Sequence, residues 1–135
     1  MMQLMTDNTK LNDLEDQVIP AVLNWGDPLP DYCQNVDLIL AADCVYLESA
    51  FPLLEKTLLD LTTNGVPILM AYKKRRKADS KFFKAIKKNF IVNEVCLNEQ
   101  SYVSALDVFN EIKDYEEFEK FYRDSVHLFE MIRKE

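Results

Sequence analysis

The chain has 135 residues, which suits one ordinary domain, and 48% of them are hydrophobic, so it can bury a core and does not read as disordered. A formal net charge of -7 argues against a general binder of nucleic acid or anionic membrane. Three cysteines, Cys33, Cys44 and Cys96, are widely spaced and odd in number. They form neither a disulfide framework nor a metal-ligand pattern, which favours a reducing compartment, cytosolic or nuclear, with the cytoplasm expected. The first residues lack the basic and apolar regions of a signal peptide, and no apolar run is long enough to span a bilayer.

In chain order, residues 1–11 carry Leu4, Met5 and Leu11 near helical spacing and read as the tail of a helix. Residues 18–23 are apolar and partly β-branched, and are expected to form a strand with Pro20 at an edge or near its start. That segment stops at Asn24-Trp25-Gly26-Asp27-Pro28. Residues 36–42 are almost continuously apolar, the pattern of a parallel strand covered on both faces. After Asp43-Cys44-Val45-Tyr46, residues 48–63 place Phe51, Leu54, Leu58 and Leu61 on one side of an amphipathic helix, with Pro52 tolerated in its first turn.

Asn64-Gly65 closes that helix, and residues 66–72 form a second buried strand. A basic loop, residues 73–77, precedes a helix started by Ala78-Asp79-Ser80 and carrying Phe82, Phe83, Ile86 and Phe90. Residues 90–97 read as a strand, residues 114–122 as partly helical, and residues 125–133 as a last strand. Strands alternating with helices imply an α/β fold around a mainly parallel sheet, with the final two strands pairing antiparallel.

In open parallel sheets, ligands bind beyond the carboxyl ends of the strands. Three such ends are readable: Asn24-Trp25-Gly26, Asp43-Cys44-Val45-Tyr46 and Tyr72-Lys73-Lys74. A tryptophan can wall a flat ring, an aspartate can hold a cation, and a tyrosine nearby can hydrogen-bond the same group. Each residue alone also fits a bland role: Trp25 as core or rim, Asp43 as a helix cap, Tyr46 as packing.

Taken together, Trp25-Gly26 ending one strand and Ala42-Asp43-Cys44-Val45-Tyr46 ending the next resemble the seven-β-strand protein-lysine methyltransferases that use S-adenosylmethionine. The likeness is to the branch that modifies chaperones, the p97-type ATPase and translation elongation factors. Leu4-Met5, Asn8 and Asn12 are similar to the helix after that family's second strand, and residues 127–134 resemble its last strand. The resemblance implies a Rossmann-like class I sheet, with residues 1–135 as the carboxyl-terminal part of a single methyltransferase domain that lacks the first strands. It implies a protein substrate, with elongation factor 1-alpha the expected partner. Residue by residue, it makes Trp25 the adenine wall, sets Ala42 against the cofactor, and gives Asp43 and Tyr46 to the acceptor-lysine end, with no metal. His127, the one histidine, reads as structural.

Gly26 and Gly65 are the only glycines, so the family's glycine-rich cofactor loop has no counterpart and the S-adenosylmethionine pocket is incomplete. A second reading therefore stands beside the enzyme: a non-catalytic methyltransferase remnant serving as a protein-interaction module. Charge is also uneven. Nine of the sixteen Lys and Arg fall within residues 73–88, whereas acidic residues outnumber basic ones nine to three from Glu94 to Asp124. The basic run reads as a solvated face, or as a contact for an acidic protein or RNA.

Overall fold

The computed structural model describes residues 1–74, 76–95 and 126–135. In chain order these form α1 (Met2–Leu11), β1 (Ile39–Ala42), α2 (Phe51–Leu61), β2 (Ile68–Tyr72), α3 (Asp79–Ile86), β3 (Phe90–Glu94) and β4 (His127–Arg133). Short 3₁₀ turns occupy Asp31–Cys33 and Glu48–Ala50. The expected helix at 114–122 lies outside the described residues.

The strands make one mixed sheet in the order β1-β2-β4-β3. β1 and β2 run parallel, in the register Ile39↔Ile68 to Ala42↔Ala71. β4 lies antiparallel between β2 and β3, pairing Met70↔Phe129 on one side and Val92↔Met131 on the other. The expected antiparallel closing pair is present. The expected mainly parallel sheet is, among the described strands, parallel only at β1 and β2, because β4 enters between β2 and β3 rather than extending the β1–β2 series.

Period-two alternation along β2 sends Ile68, Met70 and Tyr72 to one face, where α2 and α3 cover them. Ile68, Met70 and Met131 are 0% exposed, and Leu54 and Leu58 of α2 meet Phe82 and Ile86 of α3 over them. Pro52 occupies the first turn of α2, where its missing N–H costs nothing. Gly65, at φ +75°, donates its N–H to the Thr62 carbonyl at 3.0 Å and ends that segment. Cross-ties then fix the sheet to α2: Arg133 Nη1 donates to the Leu59 carbonyl at 2.8 Å, and Asn89 Nδ2 to Glu55 Oε1 at 2.9 Å.

Three expectations are corrected. Among the described residues, β1 is covered on one face only: Leu38, Leu40 and Ala42 lie on the other and are exposed, because α2 and α3 both pack on the Ala41 side. Residues 18–23 form no strand, since no described strand lies alongside to complete a hydrogen-bond ladder. The Val22 carbonyl instead accepts from the Tyr32 hydroxyl at 2.5 Å. Phe90, placed in the sequence both on the helix and at the start of the 90–97 strand, belongs to the strand, β3, and not to the helix, and it is 1% exposed within the core.

This one-sided burial predicts unequal costs. Phe82→Ala should lower stability by about 3–5 kcal/mol through cavity formation. Leu40→Gln, at a side chain 72% exposed, should change it by less than about 0.5 kcal/mol and raise solubility. Urea denaturation of both variants checks the contrast.

Candidate functional site

The parallel register places the carboxyl ends of β1 and β2 side by side, and the Asp43 N–H continues the ladder to the Ala71 carbonyl at 3.1 Å. At Asp43 the backbone turns into the left-handed region, with φ +54°. Asp and Asn tolerate that conformation better than other side-chain-bearing residues, because their short polar groups bond locally. The turn points the chain away from the sheet. Val45 then anchors it by burying in the core, while Asp43 and Tyr46 stay at the surface.

Trp25 packs partly against the same core, with its ring centroid 6.0 Å from that of Tyr46 at an interplanar angle of 56°. Its turn is seated on α2: the Gly26 N–H donates to Thr57 Oγ1 at 2.8 Å, and that hydroxyl donates to the Leu53 carbonyl at 3.0 Å. Gly26 has φ +88°, and an added Cβ would lie 2.6 Å from Leu53 Cδ2, so glycine is required there on two counts. The two segments singled out in the sequence thus meet through Trp25 and Tyr46, at one edge, with Ala42 exposed at the end of β1 beside them.

Two residues that the sequence did not mark as part of the site hold its rim. Arg76 Nη1 donates to the Tyr46 carbonyl at 2.6 Å, tying the loop after β2 to the loop after β1. Asp79 is 1% exposed, and its Oδ2 accepts from the Arg76 N–H at 3.1 Å and from the Tyr72 hydroxyl at 3.1 Å. In the sequence Asp79 carried only a helix-start signal, and its partner Tyr72 is seven residues upstream on a strand, beyond any local pattern.

The electrostatics of this edge favour neutral thiol and phenol. Burial pushes the Cys44 thiol above its ordinary 9.0, and the neighbouring Asp43 charge adds to the shift, so Cys44 is no thiolate nucleophile at neutral pH. Burial pushes Tyr72 up to about 12, helped by its hydrogen bond to Asp79 and by that carboxylate's charge. His127, by contrast, sits in β4 with Nδ1 2.7 Å from Glu94 Oε1 across the strand pair, a structural cross-link.

A cleft of about 270 Å³ lies at the opposite ends of β1 and β2, lined by residues such as Val36, Leu61 and Val66, and so is separate from this edge. Tested for fit to S-adenosylmethionine, this edge presents an aromatic ring at Trp25, partly buried, and an exposed residue at Ala42. Both glycines are used elsewhere, Gly26 on α2 and Gly65 ahead of β2, so no glycine turn remains to approach the methionine and ribose. The residues present do not complete a site for that group.

A βαβ unit whose first strand ends in an aspartate turn, beside an aromatic turn from the preceding segment, agrees with sequence comparison. Residues 1–89 match the lysine methyltransferase family, and the chain belongs to that family. It is 47% identical over 145 aligned positions to the protein-lysine N-methyltransferase EFM6 of Saccharomyces cerevisiae, covering 99% of this chain and 52% of that protein. It is 39% identical to the protein N-lysine methyltransferase METTL21A of Danio rerio, over 58% of this chain and 36% of that protein. The METTL21A of Mus musculus is 32% identical, over 70% of this chain and 45% of that protein. The chain therefore spans about half the length of the curated relatives it matches, or less.

The Tyr72–Asp79 contact gives a pH signature. Because the phenol holds its proton more tightly when folded, the stabilisation is full below pH 10 and is lost as pH rises towards about 12. Wild type should lose stability relative to Tyr72→Phe across that window, as read by urea midpoints at several pH values.

Proposed function

We propose that this chain is the acceptor-lysine side of an S-adenosylmethionine-dependent protein-lysine N-methyltransferase, acting in the cytoplasm on a translation elongation factor, with elongation factor 1-alpha the expected substrate. The observation that carries the reading is the Asp43–Tyr46 turn seated against Trp25, in a chain of the lysine methyltransferase family.

Methyl transfer to lysine needs a neutral amine aligned with the methyl group it attacks. S-adenosylmethionine, when bound, supplies that methyl on a sulfonium. The work of this chain's residues is different. The exposed Asp43 carboxylate attracts the lysine ammonium, which must give up a proton to solvent to become the attacking amine, and it stabilises the positive charge that returns to nitrogen as the N–C bond forms and the methyl–sulfur bond breaks. The Tyr46 phenol, held by its ring contact with Trp25, fixes the orientation of the amine. Arg76 holds the Tyr46 backbone in place.

The positive φ of Asp43 decides which substitution tests this. Alanine there removes charge and strains the turn together, whereas asparagine removes the charge and tolerates the same backbone. In a form spanning the full length of the relatives, Asp43→Asn should lower methyl transfer at least about 100-fold with the melting temperature preserved. Unchanged transfer would remove Asp43 from the reaction.

A second reading, a non-catalytic remnant acting as a protein-interaction module, draws on the exposed apolar side chains of Leu38 and Leu40 on one sheet face. Both readings expect weak or absent binding of S-adenosylmethionine by residues 1–135 alone. A low-micromolar dissociation constant by calorimetry would contradict that expectation. The two part company on the full-length form, where methyl transfer occurs only under the first.

A further inference from the structure

We infer that the basic rim beside Asp43, running from Lys73 and Lys74 through Lys77 to Lys81 and Lys84 on α3, is a docking surface for an acidic stretch of polypeptide flanking the acceptor lysine. The inference rests on the acceptor reading of Asp43 and deepens it.

Position comes first. Ala42 pairs with Ala71, so the chain leaves β2 into Lys73 and Lys74 at the same edge where β1 runs into Asp43. Neighbouring strands lie about 4.8 Å apart, which sets the start of the basic run next to the carboxylate. Arg76 reaches the Tyr46 carbonyl, and the buried Asp79 grips the Arg76 N–H and the Tyr72 hydroxyl. The loop is therefore fastened to the site, which a solvated lysine run does not need.

Charge comes second. Residues 73–88 contain a single carboxylate, Asp79, and it is turned inward. The lysines of this stretch are exposed, and among the described residues only Lys81 has a carboxylate within ion-pair distance, that of Glu48. Lys81 and Lys84 lie on the side of α3 away from the buried Phe82 and Ile86, with Lys77 just before the helix and Lys88 just after it. The result is a positive stripe leading away from a negative turn. A peptide that places its lysine at Asp43 and carboxylates along α3 matches both signs, and mismatched flanks are repelled.

Polypeptide fits better than RNA. Single-stranded nucleic acid is held by aromatic platforms between the basic groups. Here the aromatics of α3 face inward: Phe82 is buried, and Phe83 packs on Tyr72 and Phe129. The net charge of -7 further disfavours a polyanion as long as a nucleic acid.

The test is fluorescence anisotropy at low salt with labelled synthetic peptides, one with a central lysine followed by glutamates and one with glutamines in their place. The glutamate peptide should bind at least about tenfold more tightly, and the K77E/K84E double variant should lose that preference. Both positions are exposed, so the variant is expected to fold, and its circular dichroism should match wild type. Equal binding of the two peptides, or an unaltered preference in K77E/K84E, would overturn the proposal. So would tighter binding of oligouridylate than of the glutamate peptide. The acceptor reading is separated by Asp43→Asn: a glutamate preference that survives while the variant binds the lysine peptide unchanged supports the rim and withdraws Asp43 as the lysine's partner.

Discussion

Everything at the candidate site depends on the parallel pairing of β1 with β2 in the register Ala42↔Ala71. That register brings two loops far apart in sequence to one edge, the acidic turn after β1 and the basic run after β2. A shift by one residue would reverse which side chains of β1 face α2 and would expose Ala41 in place of Leu40. In this register Ile68 and Met70 share with Ala41 the face buried under α2 and α3. Hydrophobic burial on one face thus fixes polar geometry at the strand ends.

Much of this was legible from residue pattern. The alternation of buried strand and amphipathic helix from Val36 to Tyr72 marked β1, α2 and β2, and the Asn64-Gly65 stop marked the boundary between the last two. Trp25 and Tyr46 were named from strand ends and do meet. What pattern could not supply was partnership. Residues 18–23 have strand composition, yet a strand exists only beside another strand, and composition says nothing of neighbours. Leu38 and Leu40 have buried-strand composition for the same reason, and one face of β1 is open. Asp79 looked like a helix start because its tie to Tyr72 joins a strand to a helix across a loop.

The edge combines rigid and adjustable parts. Trp25-Gly26 is fixed by glycine backbone geometry and by Thr57, and Val45 pins the acidic turn to the core. Against this frame the lysines of α3 keep long, mobile side chains whose charges can adapt to a partner. The edge thus sets a turn pinned to the core beside cationic side chains that keep their freedom.

β4 is the last strand in chain order, yet it lies in the interior of the sheet between β2 and β3. During synthesis, β1, α2, β2, α3 and β3 leave the ribosome before residues 127–133 are available to join them. Until then, among the described strands, β2 has only β1 beside it and β3 has no neighbour, and the core lacks Met131. Completion of the sheet therefore waits on β4, and until it pairs, the free edges of β2 and β3 are what a chaperone that shields strand edges would have to act on.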